Sequence, residues 1–65
     1  MSSSVHSRAV RKAAELIGGR QVLADRLHLA RPDIDAWIAD ERRPALAVLL
    51  RIVEIILDGS EARLD

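Results

Sequence analysis

Between Val5 and Ile17 the apolar residues Val5, Ala9, Val10, Ala13, Ala14, Leu16 and Ile17 return at helical spacing, while Arg8, Arg11, Lys12 and Glu15 fall largely on the other side. The pattern predicts an amphipathic helix over about residues 5–17. A serine at position 3 or 4 is placed to cap it, because a hydroxyl there accepts from the orphan amides of the first turn. Gly18-Gly19 ends it, since glycine enters the left-handed conformation without a Cβ penalty. A short second helix follows over Arg20 to Leu27, with Val22, Leu23, Ala24 and Leu27 apolar and Arg20, Gln21, Asp25 and Arg26 more exposed. His28-Leu29-Ala30 must then turn. Pro32 opens a third helix, because its fixed φ and missing N–H suit the first helical position. Asp33 and Asp35 fall in that first turn, where the unpaired amides favour negative charge. This helix is expected from about Arg31 to Ala39.

After the charged loop Asp40-Glu41-Arg42-Arg43, Pro44 marks the start of the most apolar segment, ALAVLLRIVEIILD, expected as a helix over about residues 44–58 with Gly59 as its stop. On a wheel of 100° per residue, Ala47, Arg51, Glu54 and Asp58 form one narrow polar stripe and nearly everything else is aliphatic. A helix in so small a domain needs only one apolar stripe for the core. The excess among Leu49, Leu50, Ile52, Val53, Ile56 and Leu57 is therefore expected to cover a second copy of the chain, with Leu49, Ile52, Val53, Ile56 and Leu57 as the candidate interface. The alternative is a central helix surrounded by the other three. Residues 1–4 and 59–65 read as tails, and no Thr, Phe, Tyr or sustained alternation signals a strand.

Sixty-five residues make one domain with a marginal core, for which help from a partner is physically reasonable. The chain has no Cys, which removes disulfide frameworks, thiolate zinc sites and a thiol nucleophile, and makes a reducing cytoplasm the expected compartment. No window approaches the roughly 18 apolar residues of a membrane span. Ten bases balance ten acids, so net charge offers no argument for nucleic acid. Distribution does: residues 1–31 carry six bases against two acids, and residues 32–65 carry four against eight. Such a dipolar molecule can still meet phosphate with its basic part. Nine of the ten bases are Arg, whose planar fork suits bidentate contact with phosphate or carboxylate.

The order Gln21, Leu23-Ala24, Leu27, Leu29, Ile34, Trp37-Ile38 and Pro44 resembles the Cro and phage-repressor type of helix-turn-helix domain, the family called lambda-repressor-like, over about residues 5–58. The resemblance implies an all-α, compact domain of four to five helices, with the motif at about residues 20–39. Leu23, Ala24, Leu27, Leu29, Ile34 and Trp37 would point inward; small Ala24 would let the two motif helices cross closely, and Trp37 would fill the space between them. His28 and Asp40 stand where the family usually has glycine. Both sites want a left-handed backbone, and His and Asp are among the non-glycine residues enriched there.

The resemblance further implies that the second motif helix lies in the major groove of double-stranded DNA. Here that helix would present Pro32, Ala36 and Ala39, flanked by Asp33, Asp35 and Asp40, a face that repels phosphate and offers little for base readout beyond alanine contacts to thymine methyls and an Asp accepting from a cytosine amine. Arg20, Gln21, Arg31, Arg42 and Arg43 remain as candidates for the phosphate backbone, where contacts position rather than specify. The candidate DNA-contacting set is therefore Arg20, Gln21, Arg31, Pro32, Asp35, Ala36, Arg42 and Arg43.

Catalysis is not expected. The only histidines are His6 and His28, the serines crowd the N-terminus apart from Ser60, and no glycine loop precedes a lysine. Asp33, Asp35 and Asp40 lack calcium-loop spacing, so no metal or cofactor is expected. Two functions are carried forward: a DNA-binding regulator acting as a homodimer, and a protein-interaction module on the same scaffold with an acidic helix and little DNA affinity.

Overall fold

The computed structural model describes the backbone of residues 4–64 and the side chains of residues 4–59. Within that span the chain forms four helices and no strand: α1 (Val5–Ile17), α2 (Arg20–Leu27), α3 (Arg31–Ile38) and α4 (Leu46–Leu64). The first two match the bounds expected from the sequence, and α3 stops one residue short, with Ala39 as its cap at φ −75°, ψ −4°. No fifth helix exists among the described residues.

The first three helices end by one device. Gly18, His28 and Asp40 each take positive φ, at 113°, 60° and 64°. Each time the amide that follows reaches back five residues to an alanine carbonyl: Gly19 to Ala14 at 2.7 Å, Leu29 to Ala24 at 2.9 Å, and Glu41 to Ala36 at 2.9 Å. This closure satisfies a carbonyl that the last turn leaves without a partner. Only the first uses glycine, so the expectation of left-handed backbone at His28 and Asp40 holds.

Helix α1 is the element against which the other three pack. Its N-cap is Ser4, whose Oγ accepts from the Ser7 amide at 3.1 Å. The same Oγ donates to Asp40 Oδ1 at 2.7 Å, and the fully buried Ser7 hydroxyl donates to the Ile38 carbonyl. Two serines thus fasten the start of α1 to the end of α3. The core is Val10, Ala13 and Ala14 of α1, Leu23, Ala24 and Leu27 of α2, Ile34, Trp37 and Ile38 of α3, and Ile52 of α4. The expected inward set is accordingly buried, apart from Leu29, which is half-buried at its edge. A radius of gyration of 11.2 Å agrees with the roughly 11 Å of a compact chain this long.

Helix α4 departs from expectation at both ends. Pro44 is buried and lies before the helix; Ala45 supplies the first acceptor, its carbonyl taking the Leu49 amide at 2.9 Å. Gly59 does not stop the helix, which runs on to Leu64. The glycine faces α1, where an added Cβ would stand 3.2 Å from Leu16 Cδ1, so it permits close approach of two helices. The predicted tail at 59–65 is therefore helical backbone to residue 64, and Met1 to Ser3 and Asp65 lie outside the described residues.

Candidate functional site

Arg20, Gln21, Arg31 and Pro32 are exposed, as are Arg42 and Arg43; Asp33, Asp35 and Ala36 are half-buried on α3. The structure brings together three of the arginines through the two acids of α3. Asp35 receives Arg20 Nη1 at 2.9 Å and Arg31 Nε at 3.7 Å, and Asp33 receives Arg42 Nη2 at 2.7 Å. Arg20 comes from the first turn of α2, Arg31 opens α3 one turn before Asp35, and Arg42 lies in the loop after α3. The pairs therefore tie the preceding helix to one flank of α3, at Asp35, and the following loop to the other, at Asp33.

Gln21 is turned to its own helix, donating from Nε2 to Asp25 Oδ1 at 3.0 Å. Arg43 makes no ion pair among the described residues. Asp40 is drawn to Ser4 by the hydrogen bond described above. Four arginines on this side stand against Asp33, Asp35, Asp40 and Glu41, so its formal charge sums to zero. The acids are thus more than repulsive neighbours of a basic rim, as the sequence suggested: they hold its arginines. All three ion pairs are about half-exposed, with side-chain exposures from 36% to 59%. Pairs this wet contribute about 0–1 kcal/mol each, so an incoming phosphate can take the guanidiniums at small cost to the fold.

The second candidate surface is α4. Ile52 has no exposed area and belongs to the core, which removes it from the interface expected on this helix. The wheel could not separate it from its neighbours, because apolar residues surround most of α4 and only packing on α1 reveals which stripe points inward. Leu49 and Ile56 are half-buried, and Val53 and Leu57 are exposed at 38% and 56%. Leu50, counted in the aliphatic excess but not in the candidate interface, and Leu46, in neither, are exposed at 57% and 71%. Their signal was available: positions 46, 50, 53 and 57 fall on one face at spacings of four, three and four.

Ser4 and Ser7 were missed as fastening residues. Ser7 sits at i, i+3, i+7 with Val10 and Ala14, on the apolar face of α1, and that position could have identified it.

Two shallow hollows of about 200 and 160 Å³ adjoin between α4 and the ends of α1 and α2, sharing Arg26, Ile55 and Asp58. Their linings contain no His, Ser or Cys with which to build a nucleophile and base. Among the described residues no three His, Cys, Asp or Glu side chains group as metal ligands, and no helix is long and apolar enough to cross a membrane. The chain matches no protein-family profile, no curated protein and no solved structure.

Proposed function

We propose that the chain is a transcriptional regulator that binds double-stranded DNA, with α2 and α3 acting as a helix-turn-helix of the Cro and phage-repressor type. The observation that carries this reading is the rim around α3. Arg20, Arg31, Arg42 and Arg43 come from α2, the start of α3 and the following loop, and all are exposed beside one helix. The three-residue turn His28 to Ala30 joins two eight-residue helices that contribute Leu23, Ala24, Ile34 and Trp37 to the buried core. Such a pair can present α3 to a major groove while flanking arginines hold phosphates. Two copies acting together set two α3 helices in successive grooves. The chain works by binding, not by catalysis.

Binding on this reading is an exchange, in which phosphate replaces the Asp33 and Asp35 carboxylates as the partner of the arginines. A fluorescence-polarisation titration against duplex DNA at several salt concentrations tests it. With about 4–8 phosphates engaged, log K should fall with log salt at a slope of roughly −4 to −7. No affinity for any duplex at low salt would overturn it.

A second reading, a protein-interaction module, is favoured by the same two acids, since Asp33 and Asp35 give α3 an acidic face and leave its arginines paired. A stoichiometric protein partner contacting α3, together with absence of DNA affinity, would select this alternative.

A further inference from the structure

We infer that the cleft between α2 and α4 binds a free α-amino acid with an aliphatic side chain, its charged head held among Arg26, Arg51, Glu54 and Asp58. The inference is independent of the DNA-binding reading and uses no residue of the α3 rim. The cleft exists because α4 packs along α1 and not closely on α2, so the last turn of α2 and one side of α4 stand apart over the end of α1. Its two hollows differ in character. The larger, about 200 Å³, has an apolar floor of half-buried Leu16, Ile17 and Ile55, and Gly59 lines it without a side chain. The smaller, about 160 Å³, is ringed by Arg26, Arg51, Glu54 and Asp58, all exposed. At 100° per residue Arg51, Glu54, Ile55 and Asp58 fall within about 100° of one another around α4, so one strip of that helix supplies floor and charge together.

The charges around the smaller hollow do not meet. None of the four side chains forms an ion pair or a side-chain hydrogen bond among the described residues, whereas Asp33 and Asp35 beside α3 each hold an arginine. Two guanidiniums and two carboxylates around one hollow decide the class of occupant. A lone anion would meet Glu54 and Asp58, and a lone cation would meet Arg26 and Arg51. A zwitterion matches both pairs, with its carboxylate at the guanidiniums and its ammonium at the carboxylates. Arg26, Ile55 and Asp58 line both hollows, so a side chain on the α-carbon can pass from the charged head onto the apolar floor. A free amino acid has this order of groups, and a chain terminus, with one charge of the two, does not. Together the hollows reach only the low end of the ~300–1,000 Å³ of sites for drug-sized ligands, which suits an occupant of leucine size. Open charges are well screened, so the dissociation constant belongs near about 0.1–1 mM.

Titrating the isotope-labelled chain with L-leucine to about 10 mM, followed by two-dimensional amide spectra, should shift residues at the end of α1, the last turn of α2 and Arg51 to Gly59. Glycine, which lacks the side chain, should bind about tenfold more weakly or worse. The anion 4-methylpentanoate and the cation 3-methylbutylamine, each lacking one charge of leucine, should bind weaker by about fivefold or more. Glu54→Gln should weaken leucine yet strengthen 4-methylpentanoate, and Arg51→Gln should weaken leucine yet strengthen 3-methylbutylamine. A merely structural effect of either exposed residue would move both ligands the same way. No shift with L-leucine, L-isoleucine or L-valine, shifts confined to other surfaces, or equal binding of leucine and either single-charge analogue would overturn the inference.

Discussion

Arg20 of α2 and Asp35 of α3 are joined across the turn between their helices by a 2.9 Å ion pair, and Asp35 also lies 3.7 Å from Arg31. One carboxylate thus occupies two of the guanidiniums that surround α3. Replacing it with the isosteric amide removes the charge and keeps the shape. Asp35→Asn should raise affinity for duplex DNA several-fold near about 0.15 M salt and make the salt slope steeper by about one. Because the pair is half-exposed, unfolding free energy should change by less than about 1 kcal/mol. Equal affinity and slope in the two proteins would show that Asp35 does not restrain these arginines.

How the sequence conveyed this arrangement depends on which force sets each part. Helices α1 and α2 were legible to the residue, because glycines, a capping serine and an amphipathic period are local signals. The left-handed turns at His28 and Asp40 were legible from a resemblance, since a glycine position tolerates few other residues. Three features were not. Gly59 reads as a stop in one dimension, and only its approach to Leu16 in space makes it an interior residue. Ile52 is chemically indistinguishable from Val53 until α1 lies across it. The pairing of Asp33 with Arg42 joins a helix to a loop residue, a contact that charge alone does not specify.

The two non-glycine turns make a controlled comparison. His28 is exposed at φ 60°, and Asp40 is exposed at φ 64°, so each carries the steric cost of a Cβ in left-handed backbone. Asp40 alone has a compensating side-chain bond, accepting from Ser4 Oγ. His28→Gly should therefore stabilise the domain by about 0.5–1 kcal/mol, the relief of strain exceeding the added freedom of the unfolded chain. Asp40→Gly should be near neutral, because the lost hydrogen bond offsets the same relief. Thermal denaturation separates the two, with a rise of roughly 2–8 °C for the first alone. An equal rise in both variants would deny the Ser4 contact any stabilising role.

Ser7 supplies a different test, of the seam between α1 and α3. Its hydroxyl is wholly buried and its acceptor is the Ile38 carbonyl, one of the orphan acceptors at the end of α3. Ser7→Ala keeps the helix propensity favourable but deprives that carbonyl of its donor. The expected loss is about 1–2 kcal/mol in urea denaturation, with the slope unchanged. A stability equal to that of the unmodified chain would mean that water or a backbone shift satisfies Ile38 without the serine.

Gly59 tests whether the approach of α4 to α1 is as close as the geometry gives it. Glycine in a helix interior costs roughly 0.5–1 kcal/mol relative to alanine, so its presence here is unfavourable unless space requires it. An added Cβ would stand 3.2 Å from Leu16 Cδ1, tighter than ordinary contact but against the far end of a side chain that can turn aside. Gly59→Ala should then lie within about 0.5 kcal/mol of neutral, gained propensity balancing displaced packing. Gly59→Val adds two methyl groups where one Cβ is already tight and carries a helix-disfavouring branch. It should cost about 1–3 kcal/mol and loosen the end of α4, read as faster amide exchange over Ile55 to Asp58. A valine variant as stable and as protected as the unmodified chain would show that α4 and α1 are not held at this distance.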